Sequence, residues 1–295
     1  MAATETAATP EARRKTWIRI ATFLVLVTVF TLLSTAVLKQ VHLPKRLSAC
    51  IGMWVPGTCA IVVKLLFDRS LTGLGLARSG GVKGLLMGLL IPVAYALPVY
   101  VIVWLVGAGG LDPSRWGTAI PYFSDPGNAA TALGLLLTVG LVDKLGRALG
   151  EEIGWRGFLV PEFLKLMPLW QTGLVTGAIW FCWHLPAIFF QDYNSSTAGG
   201  PPLAYQIGCF AAMVIPSGIL YAWLRQRTGS VWPCALLHAS HNLVIQSILD
   251  QGTVNAPRTL WITGEFGFGL ALTTWVTVLA ILLLANKPAP QTATA

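Results

Sequence analysis

Eight apolar stretches, each close to the length that a helix needs to cross a bilayer, recur along this chain with short polar segments between them. They run approximately over 17–38, 48–66, 83–106, 129–150, 170–190, 203–224, 231–249 and 265–286. A hydrocarbon core about 30 Å thick takes roughly 20 apolar residues per helix, so the pattern predicts an all-α, polytopic integral membrane bundle of about eight transmembrane helices. Three runs are interrupted: by Pro56 and Lys64 in the second, by Asp143, Lys144 and Arg147 in the fourth, and by His238, Ser240, His241 and Asn242 in the seventh. Such side chains are costly against lipid and should face protein, water or the interface. One membrane domain is expected over 13–286, with its chemistry-bearing core at about 130–250. The tails 1–12 and 287–295, polar or rich in helix breakers, are expected to be disordered.

Composition supports a chain dissolved in lipid: of 295 residues, 55% are hydrophobic and only 11% charged, with a mean hydropathy of +0.67. The formal charge of +8 does not point to nucleic acid, because the cations sit in short segments between apolar runs and form no basic stripe with interleaved aromatics. With both termini on one side, the loops sort very unequally. Lys39, Lys45, Arg46, Arg115 and Arg258 fall on one side, and the other cations, Lys144 and Arg147 included, fall on the other. The positive-inside rule then places both termini in the cytoplasm, in what reads as a bacterial plasma membrane. Arg13, Arg14 and Lys15 precede an apolar run of about 19 residues, longer than the 7–15 of a signal peptide, so an uncleaved first helix is expected. The five cysteines form no CxxC pair and read as small buried hydrophobes.

Against so little charge, the adjacent carboxylates Glu151 and Glu152 in GEEIGWRG stand out. Helical positions four apart share a face, so Arg156 is expected to pair with Glu152. Glu151 points about 100° away, over Trp155, and is left for chemistry. The blander reading is a pair of interfacial charges at a helix end. Gly146, Gly150 and Gly154 form overlapping GxxxG steps along which another backbone can approach closely.

Of four histidines, His184, His238 and His241 fall inside predicted spans, where histidines are uncommon and usually functional. His184 follows Trp180 by one turn and precedes Pro186, which is expected to distort the helix; a histidine satisfied by a backbone carbonyl is the alternative. His238 and Asn242 share a face, with His241 as a hydrogen-bonded neighbour. Two chemistries fit this set. Glu151, His184 and His238 would bind zinc or another divalent metal, with Asn242 assisting. Alternatively, Glu151 and His184 polarise a water directly while His238 and Asn242 donate hydrogen bonds to the oxyanion. No HExxH signature decides between them.

The succession of EExxxR, an aromatic four residues before a His-Leu-Pro, and HxxxN resembles the CAAX protease and bacteriocin-processing (CPBP, or Abi) family of intramembrane proteases, which includes the type II CAAX prenyl endopeptidases. The likeness covers roughly 130–250. It implies about eight spans, a cavity open to the cytoplasmic side, and hydrolysis of a peptide bond in a membrane-associated peptide or protein, CAAX-type processing included. It makes Glu151, His184, His238 and Asn242 catalytic and Glu152 and Arg156 supporting. Trp180 stands where the family often has phenylalanine. A proton- or ion-coupled transporter and a non-catalytic scaffold or bacteriocin-immunity protein are the competing classes. No inverted repeat supports the transporter.

Overall fold

The computed structural model describes residues 9–41, 43–120, 126–195 and 200–285. Helices α1 (Pro10–Val41), α2 (Lys45–Asp68), α3 (Gly81–Leu105), α4 (Ala129–Leu164), α5 (Leu169–Phe190) and α6 (Leu203–Thr228) are long and apolar enough to cross a membrane. Two further elements complete the bundle. Helix α7 covers Trp232–His241 and continues in wide π-type turns over Asn242–Leu249, and α8 spans Phe268–Ala285. The protein is an all-α integral membrane bundle, and its many exposed leucines, valines and phenylalanines are the surface that lipid covers.

The structure alters several expectations. Helix α1 begins at Pro10, so residues 10–12 of the expected disordered tail are helical, whereas 1–8 and 287–295 lie outside the described residues. The fourth span does not end near 150. It runs on to Leu164, through π-type turns at Leu136–Gly140 and Ile153–Leu159, so the paired glutamates sit inside a helix rather than at its end. Helix α5 passes through Pro186 without breaking and ends at Phe190. Two three-residue strands, β1 (Gly109–Leu111) and β2 (Thr253–Asn255), pair antiparallel with Gly110 opposite Val254, a feature too short to show in the apolar pattern.

Side-chain bonds fix which helix ends lie together. At one end, Arg19 of α1 bonds Asp68 of α2 and Glu162 of α4. There Arg225 of α6 donates to the carbonyl of Gly73, and Trp232 to that of Leu76. At the opposite end, Arg46 approaches Asp143 at 4.0 Å, Gln191 just beyond α5 donates to Thr35 of α1, and Trp104 donates to Thr253. Arg147 pairs with Asp143, and Lys144 donates to Gln246 at 3.0 Å. Lys144 and Arg147 therefore belong to the α1–α2 end, not with the N-terminal cations where the span boundary at 150 had put them.

The glycine stripe of α4 is used in part. A Cβ on Gly154 would lie 2.5 Å from Pro56 Cβ, and one on Gly150 would lie 2.7 Å from Trp54 Cγ, so α2 packs directly on this backbone. A Cβ on Gly146 meets nothing within 4 Å. Gly154→Ala should therefore destabilise the protein by about 1–3 kcal/mol through overpacking. Gly146→Ala should be neutral or gain up to about 1 kcal/mol of helix propensity. Thermal unfolding of both variants in detergent checks the contrast; equal melting points would show that α2 does not seat on α4.

Candidate active site

Glu151 and Glu152 occupy one turn of α4 but face different partners, as their 100° separation requires. Glu152, fully buried, accepts at Oε1 from Arg156 Nη1 at 2.8 Å and lies 2.9 Å from His238 Nδ1. The Arg156 guanidinium, also buried, lies over the rings of Trp180 (4.2 Å) and Tyr221 (3.8 Å), so its charge meets π faces instead of lipid. Arg156 is further held because Arg225 donates to its carbonyl at 2.9 Å.

Glu151 turns toward a cavity of about 560 Å³ that is also lined by His184, His238 and Asn242. Its Oε2 accepts from the indoles of Trp155 (3.2 Å) and Trp180 (2.8 Å), and among the described residues no donor bonds its Oε1. Both indoles are apolar bodies with one N–H each, so they hold a carboxylate in place without neutralising it. Trp180 is the hub: its ring stands 5.5 Å from those of His184 and His238, edge to face. Sequence reading had placed an aromatic here without its hydrogen bond to Glu151.

The two imidazoles are orientated alike. His184 Nδ1 lies 2.8 Å from the Trp180 carbonyl, and His238 Nδ1 faces the Glu152 carboxylate. Both partners are acceptors, so each Nδ1 carries the proton and each neutral ring offers its Nε2 lone pair. The carbonyl-satisfied reading of His184 and the catalytic one are thus compatible, since the bond uses only one nitrogen. Asn242 accepts at Oδ1 from Gln246 at 3.5 Å, which assigns its NH₂ as the donating end.

The tautomers and the glutamate and histidine donor types suit metal ligation. Among the described residues no three histidine, cysteine, aspartate or glutamate side chains are gathered into a group able to hold a metal ion. Glu151, His184 and His238 share a cavity without forming a three-ligand cage.

A second polar cluster on the same wall escaped the motif reading. Glu265 accepts from Tyr193 (2.7 Å) and Gln246 (3.2 Å) and lies 2.7 Å from His241 Nε2, while the Tyr95 hydroxyl bonds His241 Nδ1. Tyr193 in turn stacks on His184, with 5.8 Å between centroids. The available signal was a lone carboxylate at the start of an apolar run. His241 is the hydrogen-bonded neighbour that its spacing predicted.

Comparison with known proteins bears on the same residues. Positions 130–244 match the model of the family described as type II CAAX prenyl endopeptidase Rce1-like, a stretch that contains Glu151, Glu152, Arg156, His184, His238 and Asn242. Over that stretch the chain is similar to the Rce1-like family. A CAAX prenyl protease 2 of Methanococcus maripaludis is 27% identical over 74 residues, which is 25% of this chain and 27% of the relative. The alignable part thus spans about a quarter of that relative, and this Rce1-like core is where the likeness resides.

The geometry separates the two glutamates by experiment. Glu152→Ala strands a buried guanidinium, a loss of about 3–5 kcal/mol, and should leave little folded protein in the membrane. Glu151→Gln keeps an oxygen for the two indoles and should give wild-type yield and a monodisperse elution profile. Equal yields from the two variants would contradict this division of roles.

Proposed function

We propose that this protein is an intramembrane endopeptidase that hydrolyses a peptide bond of a membrane-associated peptide or protein, CAAX-type processing being the specific activity that its Rce1-like core suggests. One observation carries the reading. A buried carboxylate, fixed through one oxygen by two indoles, shares a 560 Å³ cavity with two imidazoles whose free nitrogens are both Nε2 and with an amide donor.

Glu151, through Oε1, takes a proton from a water molecule as its oxygen attacks the carbonyl carbon, with His184 Nε2 accepting the water's other hydrogen bond. The carbonyl π electrons move to oxygen, which the Asn242 NH₂ stabilises. His238 contributes to that oxyanion only as imidazolium, because its neutral form presents a lone pair at Nε2. Collapse of the tetrahedral intermediate breaks the C–N bond, and Glu151 delivers its proton to the leaving amine. Water supplies both protons: one passes through Glu151 to the leaving amine, and the other stays on the new carboxyl group.

The reading predicts that Glu151→Gln lowers hydrolysis of single-span reporter peptides by about 10²–10⁴-fold, the usual contribution of a positioned general base. Asn242→Ala should cost about 10²–10³-fold in kcat, as for loss of an oxyanion donor. Cleavage followed by mass spectrometry in detergent checks both. Undiminished turnover by Glu151→Gln would remove Glu151 from the mechanism and favour a non-catalytic scaffold.

A further inference from the structure

A carboxylate in the cavity wall is bonded to capacity, and it ties together two groups that the chemistry above uses separately. Glu265 is buried and lines the cavity with Tyr193, His241, Asn242 and Gln246. Its Oε1 lies 2.7 Å from His241 Nε2, and its Oε2 accepts from the Tyr193 hydroxyl at 2.7 Å. The Gln246 amide nitrogen sits 3.2 Å from both oxygens. Each oxygen therefore meets two donors, whereas Glu151 Oε1 meets none among the described residues. A carboxylate so engaged is an anchor, not a base poised to take a proton from water. His241 is saturated in the same way: Nε2 donates to Glu265 and Nδ1 accepts from the Tyr95 hydroxyl, which leaves it no lone pair for the cavity.

The anchor is itself fixed. Glu265 follows Gly264, whose φ of +73° suits glycine in the turn before α8 and whose N–H donates to the Tyr100 hydroxyl at 2.9 Å. Tyr100 in turn bonds Asp250, just past the π-type turns of α7. Phe266 meets the Tyr193 ring edge-on at 5.5 Å and stacks on Phe210 at 5.0 Å. Tyr193 is thus held by its hydroxyl and by its ring, and it stacks on His184 with 5.8 Å between centroids. On the other branch, Lys144 donates to Gln246 Oε1, so the Gln246 NH₂ points to Glu265 and to Asn242 Oδ1, 3.5 Å away. That bond leaves the Asn242 NH₂ as the end that donates into the cavity.

We propose that Glu265 is a positioning residue of this site, holding His184 through Tyr193 and Asn242 through Gln246. The group that accepts from water and the group that donates to the oxyanion come from α5 and α7, and one carboxylate from the connection before α8 sets where they stand relative to each other. Glu265 and Gln246 lie beyond the 130–244 stretch that matches the family model, so this support comes from a part of the chain that the likeness does not cover. The consequence for catalysis rests on the endopeptidase reading above; the hold on His184 does not.

Modification of the purified full-length protein with diethyl pyrocarbonate, mapped by mass spectrometry, reads the hold on His184 without reference to turnover. In Glu265→Gln the Tyr193 hydroxyl loses its anionic acceptor, and the ring is released from His184. Modification of His184 should then speed up by about tenfold, the shift that loss of one hydrogen bond to a charged group supports. His238, tied to Glu152 instead, should keep its wild-type rate. Tyr193→Phe removes only the hydroxyl and should give the same selective response, which keeps the test decisive if Glu265→Gln does not fold. On a reporter peptide, the Glu265→Gln protein should lose about 10²-fold in kcat, the cost of a small misplacement of reacting groups, with KM unchanged. Wild-type reactivity of His184 in the folded variants, a parallel rise at His238, or an unaltered kcat would each overturn the proposal. A selective His184 response in a protein whose wild type cleaves nothing would support the positioning and dismiss the endopeptidase reading, so the two fail separately.

Discussion

A charge placed inside a lipid-embedded bundle must be matched there, and the rest of this structure is arranged around one such match. Glu152 and Arg156, both essentially inaccessible, lie four residues apart on α4 and are bonded at 2.8 Å. The pair is a single-point contact, with Glu152 Oε2 and Arg156 Nε unpartnered among the described residues. It is completed by His238 on the acid side and by the faces of Trp180 and Tyr221 on the basic side. Those partners come from three other helices, α5, α6 and α7. An ion pair of this kind contributes little net stability over an apolar replacement. Its consequence is positional: removing any one partner leaves a buried charge less well matched, so the four helices are held in one arrangement.

That arrangement supplies the site. Once His238 is tied through Nδ1 to Glu152, its Nε2 is turned to the cavity, and once Trp180 lies over Arg156, its N–H is aimed at Glu151. Glu151 is thus preorganised by groups whose own positions answer to the ion pair beneath it. The Glu265 cluster lines the same cavity. It fixes His241 and Tyr193, and Tyr193 covers the His184 ring.

Much of this was legible in the sequence because it obeys helical periodicity. The eight apolar runs all correspond to helices, and the contacts of Glu152 with Arg156 and of Glu151 with Trp155 follow from i, i+4 spacing. What periodicity does not carry was missed. The extension of α4 to Leu164 depends on π-type turns that absorb polar residues the hydropathy scan counts as an end. That miscount placed Lys144 and Arg147 on the wrong side. The use of Gly150 and Gly154 but not Gly146 depends on where α2 crosses, which is a property of two helices.

The central claim is that Glu151, positioned by indoles and assisted by His184, activates water with this chain's residues alone. The most direct measurement is hydrolysis of a reporter peptide that the purified protein cleaves, before and after exhaustive chelation, with bound metal quantified by mass spectrometry in the same samples. The account predicts unchanged turnover at far less than one equivalent of any divalent metal, with activity still abolished by Glu151→Gln. Activity that disappears with about one equivalent of metal and returns when that metal is restored would contradict it.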